Sequence, residues 1–175
     1  MTRLAILLAG LAGLGGCGSV DIGRHAGEQP TLELSRYFDG TIDAWGLFQD
    51  RSGAVVKRFR VTIEGRWSNG HGVLDERFIY SDGSRQQRVW RIDALGDGRY
   101  RGRADDVVGV AVGESAGNAL RWRYVLRLPV DEREYNISFD DWMYLIDERV
   151  LINRSVMRKF GIRLGEVTLT MRRRD

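Results

Sequence analysis

Residues 54–67 read AVVKRFRVTIEGRW, and their alternation decides the fold. Val55, Phe59, Val61, Ile63 and Trp67 fall on one parity, while Arg58, Arg60, Thr62, Glu64 and Arg66 fall on the other. Successive side chains of a strand point to opposite faces, so this is a strand with one face in a core and one in water. Working outward, the same period recurs. Thr41 to Phe48 carries strand chemistry before it; after it come Val73 to Tyr80, Gln86 to Asp93 and a longer extended run from Tyr100 to Ala111. Leu120, Trp122, Tyr124, Leu126 and Leu128 then line one face opposite Arg121, Arg123 and Arg127, with Pro129 expected to end that strand. Tyr135, Ile137 and Phe139 continue the alternation, followed by extended runs at Trp142 to Asp147, Val150 to Met157 and Gly165 to Met171.

Turn signals separate the runs: Asn69-Gly70, Ser81-Asp82-Gly83-Ser84, Gly96-Asp97-Gly98 and Ala116-Gly117-Asn118. Short loops of this kind join antiparallel neighbours. About eight to ten strands joined in sequence order predict an all-β domain, an up-and-down antiparallel barrel or a strongly curled sheet of lipocalin-like type. A closed barrel removes exposed edges, and one of about eight strands holds a single small ligand. Leu32 to Phe38 shows no clear type, and no segment keeps helical spacing beyond two turns.

The 175 residues suffice for one ordinary core, and 43% hydrophobic with 29% charged residues is the composition of a folded globular chain. One cysteine excludes a disulfide scaffold. Its position explains it. Residues 1–16, MTRLAILLAGLAGLGG, carry Arg3, an apolar stretch from Leu4 to Leu14 and two small residues before Cys17, the layout of an export signal too short to span a bilayer stably. Leu14-Gly15-Gly16-Cys17 resembles the bacterial lipobox, which implies that Cys17 is lipidated and becomes the mature N-terminus. Several acyl chains on one residue anchor far more firmly than one. Gly18 and Ser19, rather than Asp, follow the cysteine, which fits the periplasmic face of the outer membrane. Residues 17–30 lack periodicity and end at Pro30, so they are expected to be a lipidated tether, with the barrel domain at 31–175. Removing residues 1–16 takes Arg3 from a formal charge of +3 and leaves the domain nearly neutral. Lys57 and Lys159 are the only lysines among 27 basic residues, an arginine bias that a GC-rich genome also produces. Export makes nucleic-acid binding an unsuitable role.

Candidate chemistry is sparse. Gly113-Glu114-Ser115-Ala116-Gly117 matches the nucleophile-elbow string, but a strand follows it and both histidines, His25 and His71, precede it. No metal-ligand spacing or phosphate loop is present, and no cofactor is expected. Asp105-Asp106 and Asp140-Asp141 are adjacent pairs, which a strand sends to opposite faces, so neither forms a catalytic dyad; turn and rim carboxylates paired with Arg are the plainer reading.

The lipobox, FDGTIDAWGLFQDRSGAVVKRF (38–59), LDERFIYSDG (74–83), ADDVVGVAVGESAGNALRWRY (104–124), DWMYLID (141–147) and KFGIRLGEVTL (159–169) together resemble domain-of-unknown-function family 3833. The resemblance covers nearly all of the mature domain. It implies a periplasmic lipocalin-like lipoprotein, in some cases encoded near enzymes that modify membrane fatty acids, with no established reaction. The positions it marks include Asp75, Glu76, Arg77, Tyr80, Asp82, Arg88, Trp90, Gly109, Asn118, Trp122, Tyr124, Asp141, Trp142, Met143, Asn153 and Lys159.

The leading functional expectation is a binding module whose interior holds a fatty acyl or other apolar envelope molecule. Trp90, Trp122, Tyr124, Trp142 and Met143 are candidates for its lining, and an arginine for an acidic head. Glu76 shares a face with Leu74, Phe78 and Tyr80, and Arg88 with Trp90 and Ile92, so inward-facing strands bring both charges inside, where they need partners. Gly109, Ala111 and Gly113 on one parity leave room for a ligand or for close packing of an aromatic ring. The alternatives are an enzyme acting on a membrane-derived lipid, with Glu76 and Arg88 in acid and base roles, and a scaffold with a filled core.

Overall fold

The computed structural model describes residues 20–130 and 133–174. The expected signal peptide and Cys17 lie outside the described residues. Ten antiparallel strands close into one barrel: β1 (Gly40–Asp50), β2 (Val55–Ser68), β3 (His71–Tyr80), β4 (Arg85–Gly96), β5 (Arg99–Arg103), β6 (Ala111–Ala116), β7 (Ala119–Val130), β8 (Arg133–Leu145), β9 (Val150–Lys159) and β10 (Ile162–Arg173). Each pairs with its sequence neighbour, and β1 pairs with β10 to complete the ring. The expected up-and-down barrel is the observed fold.

Turn chemistry matches the hairpins. Asn69 and Gly70 have φ of 49° and 80°, and Asp97 and Gly98 have 51° and 68°. Two successive positive φ values give the tight turn whose twist suits paired strands. Phe160 and Gly161 repeat it between β9 and β10, with Phe160 almost wholly exposed at the tip.

Three runs depart from the sequence reading. Tyr100 to Ala111 is two strands separated by a loop at 104–110. Its valines have strand chemistry, but Gly109 adopts φ of 73° and the segment folds against β7 through Val108 N–H to Val125 O and Arg127 N–H to Asp106 O. The stretch read as two runs around Tyr135 to Asp147 is the single strand β8, and β7 continues through Pro129, paired with Glu134, to Val130.

Leu34–Tyr37 forms one helical turn, α1. Leu34, Tyr37 and Phe38 lie at i, i+3 and i+4, share a face, and are buried together with Leu32. The Tyr37 hydroxyl donates to carbonyl oxygens of Arg149 and Met171, and the Phe38 backbone lies against Gly65, where any side chain would collide. Thus α1 plugs the end of the barrel bounded by the β2–β3 and β8–β9 turns. Burial of each large apolar side chain there contributes about 1.5–3 kcal/mol.

Part of the 17–30 segment, expected to be a lipidated tether, is docked on the barrel. Ile22–His25 forms a short 3₁₀ turn, His25 packs edge-on against Trp142 and Tyr144, and its carbonyl lies on Gly117 in the β6–β7 turn. Leu32 N–H then donates to Gly117 O. The chain therefore reaches the barrel at the plugged end.

Candidate functional site

The barrel encloses a cavity of about 650 Å³. Parity places its lining. On β7, Leu120, Trp122, Tyr124, Leu126 and Leu128 point in, whereas Arg121 and Arg123 point out and pair with Asp140 and Glu114. On β8, Phe139, Asp141 and Met143 line the cavity, and Asp140 faces away. Mouthward lie Phe59, Phe78, Tyr80, Leu128 and Met157, with Lys57 and Arg85 at the rim; toward the plug the walls are Leu74, Trp90, Ile92, Trp122 and Leu120, all buried.

Between these apolar regions one wall is polar. Glu76 on β3 and Arg88 on β4 are register partners, with Nη1 to Oε2 of 3.7 Å and side chains 15% and 11% exposed. The guanidinium makes its hydrogen bonds elsewhere: Nε and Nη2 donate to the Asp106 carboxylate at 2.7–3.0 Å. Bidentate pairing of this kind is the strong form of the interaction. Across the cavity Asp141, 6% exposed, accepts from the Tyr124 hydroxyl at 3.1 Å and from the Ser155 hydroxyl. Asn153, one inward position along β9, is buried and leaves its Nδ2 without a hydrogen-bond partner among the described residues.

Burial sets the protonation chemistry. Desolvation pushes Glu76 and Asp141 up to about 7; Arg88 opposes this at Glu76, as the Ser155 and Tyr124 hydroxyls do at Asp141. Tyr124 is pushed well above its ordinary range by burial and by Asp141.

Aromatic rings frame the polar wall. Trp90 meets Trp122 and Tyr124 edge-on at 5.7 and 5.4 Å, and Tyr124 stacks on Phe139 at 5.1 Å. Trp122 lies over Gly102 and Gly113, where a Cβ would enter its ring. Gly113 is thus a seat for an aromatic, as one of the two sequence readings has it, while Gly109 belongs to the loop and not to that face.

The structure brings six of the seven interior candidates to the cavity: Glu76, Arg88, Trp90, Trp122, Tyr124 and Met143. Trp142 is corrected. It lies on the outer face, stacked on Tyr144 and under the Arg121 guanidinium, because it has the opposite parity to Asp141. The expected Arg88–Glu76 pair exists, but Asp106 is the main partner. Asp106 is a loop carboxylate paired with an arginine, as the plainer reading of Asp105-Asp106 has it, whereas Ser155 and the choice of Arg88 as that partner escaped the sequence reading. Ser155 was marked by its parity with Leu151 and Met157 on β9; Asp106 sits on a loop and carried no periodic signal.

A closed meander with a plugged end and a lined interior defines a lipocalin-like barrel. The chain belongs to the family described as Protein of unknown function (DUF3833), whose model matches residues 11–173. An S-type phycobiliprotein lyase from Guillardia theta shares the fold at a TM-score of 0.64 and 6% identity, covering 89% of this chain and 99% of that one. A de novo designed fluorescence-activating β-barrel is similar at a TM-score of 0.46 and 14% identity, covering 82% and 99%. No curated protein matches the chain.

Proposed function

We propose that this protein is a lipoprotein held by Cys17 at the periplasmic face of the outer membrane, whose barrel binds one fatty acyl or other apolar envelope molecule. The carrying observation is the cavity of about 650 Å³, apolar along most of its wall and furnished with a few placed polar groups, the combination typical of small-molecule sites. A filled barrel would suit a scaffold instead. The anchor reading rests on the Leu14 to Cys17 string. The path of the chain is consistent with it, since His25, eight residues after Cys17, lies against the β6–β7 turn at the plugged end. The fold neighbours lend no chemistry, because one fold hosts many functions.

An enzyme acting on a membrane-derived lipid has one observation in its favour, the near-neutral titration of Glu76 and Asp141. Native mass spectrometry of the full-length protein, purified in mild detergent from the envelope fraction, followed by lipid extraction, separates the readings. A stoichiometric unmodified lipid supports binding, a mixture of lipid and altered product supports catalysis, and an empty barrel after gentle purification overturns both.

A further inference from the structure

Lys57 and Arg85 stand at the rim of the cavity, and the charge at its inner polar wall is of the opposite sign. Three carboxylates, Glu76, Asp106 and Asp141, share one guanidinium, that of Arg88. Asp106 occupies Nε and Nη2, and Glu76 stands at 3.7 Å from Nη1. Asp141 is held by two hydroxyls, neutral donors that leave its charge unbalanced. Another anion would join three like charges in a poorly solvated site, where mutual repulsion is strong. A cation would do the reverse, adding to the single guanidinium of Arg88 a second countercharge for Glu76 and Asp141. The rings of Trp90, Trp122 and Tyr124 pack against one another beside this wall and hold the carboxylates in a largely apolar surround. A second, independent feature points to a ligand at this place: the Asn153 amide, 3% exposed and lining the cavity, has an Nδ2 without a partner among the described residues and is set to donate to an oxygen of a bound molecule.

We propose that the cavity takes an alkyl or acyl chain whose buried polar group is a protonated amine, seated between Glu76 and Asp141, and not a free carboxylate or phosphate. This rests on the apolar-ligand reading above and narrows it. The cationic nitrogen meets the two carboxylates, a nearby hydroxyl or carbonyl oxygen of the ligand accepts from Asn153, and the chain runs toward the mouth along Phe78 and Leu128.

The test uses residues 18–175, which contain the whole closed barrel, its plug and its core. Calorimetric titration at pH 8 with decylammonium, decanoate and 1-decanol compares three heads on one chain. The expected order is decylammonium, then decanol, then decanoate, with the amine at least tenfold tighter than the acid. In Glu76→Gln/Asp141→Asn the amine-to-acid ratio falls to near one. Decanoate binding as tightly as decylammonium overturns the proposal while leaving the apolar-ligand reading standing, and so does an amine preference that persists in the double variant. Failure of all three probes to bind overturns both.

Discussion

Glu76 and Arg88 face each other as register partners across β3 and β4, yet the guanidinium spends its hydrogen bonds on Asp106, eighteen residues further along the chain. The consequence is architectural. Before Arg91, over Arg85 to Trp90, the strand β4 has no partner on the β5 side, and the loop at 104–110 lies along β7 in its place. The Arg88–Asp106 pair ties that loop to the barrel wall beside the cavity.

Removing the guanidinium strands two carboxylates. Arg88→Ala leaves Asp106 and Glu76 without a countercharge in a largely buried site, and breaking such a pair costs about 3–5 kcal/mol. Asp106→Asn, which keeps a hydrogen-bonding side chain, is expected to cost less, and Arg88→Ala/Glu76→Gln to recover part of the loss. Urea denaturation monitored by circular dichroism measures all three. A loss under about 1 kcal/mol for Arg88→Ala would mean that the pair does not hold the loop.

Much of this arrangement was legible in the sequence because strands obey parity. The Ala54 to Trp67 alternation, the Leu120 to Leu128 stripe and the Asn69-Gly70 turn all lie where their chemistry puts them. Trp142 obeys the same rule, since the parity of Tyr135, Ile137 and Phe139 sends Asp141 inward and Trp142 outward. What was illegible is non-periodic. The loop at 104–110 reads as strand because Val107, Val108 and Val110 are β-formers, and only the tertiary contact of Asp106 with Arg88 and the positive φ of Gly109 reveal the break. The docking of His25 likewise depends on an aromatic pair, Trp142 and Tyr144, distant in sequence.

The glycine seats of Trp122 make a sharp packing test. A Cβ at position 113 enters the Trp122 ring, and the ring is flanked on the other side by Trp90, so it has little room to move. Gly113→Val is expected to destabilise the domain by about 1–3 kcal/mol and to change the near-ultraviolet circular dichroism of the paired tryptophans. An unchanged spectrum with unchanged stability would show that Trp122 is not seated there.

For the anchor, the expected outcome is equally direct. In a Gram-negative host, Cys17→Ala blocks lipid attachment, so the protein remains an unprocessed precursor or appears in the soluble periplasmic fraction, whereas the unaltered chain fractionates with the outer membrane. Metabolic labelling with an alkyne-bearing fatty acid gives the chemical readout. Labelling of the alanine variant would move the lipid to another residue and defeat the assignment.

The last expectation concerns pH. Burial raises Glu76 from 4.5 and Asp141 from 3.8 to about 7, among Arg88, Asp106, Tyr80 and Tyr124. In the unfolded chain both carboxyls lose their protons near pH 4, whereas the folded barrel keeps them until about pH 7. Across that window the native state binds more protons than the unfolded state, so the stability contributed by these two groups is greatest below about pH 4 and falls as pH rises through 7. Surface carboxylates work the other way: Lys57 with Ser84 at Asp82, and Arg174 at Asp43, hold those groups low, and their contribution is lost only as pH drops further into the acid range. The domain is therefore expected to be most stable in mildly acidic solution near pH 5 and to lose a few kcal/mol, of order 2 or more, by pH 8. Thermal melts from pH 5 to 8 measure this, and Glu76→Gln/Asp141→Asn, in which neither group titrates, should flatten the profile and melt higher than the parent at pH 8. A parent whose melting temperature is constant or rises from pH 5 to 8 would place both carboxyls in solvent-like surroundings.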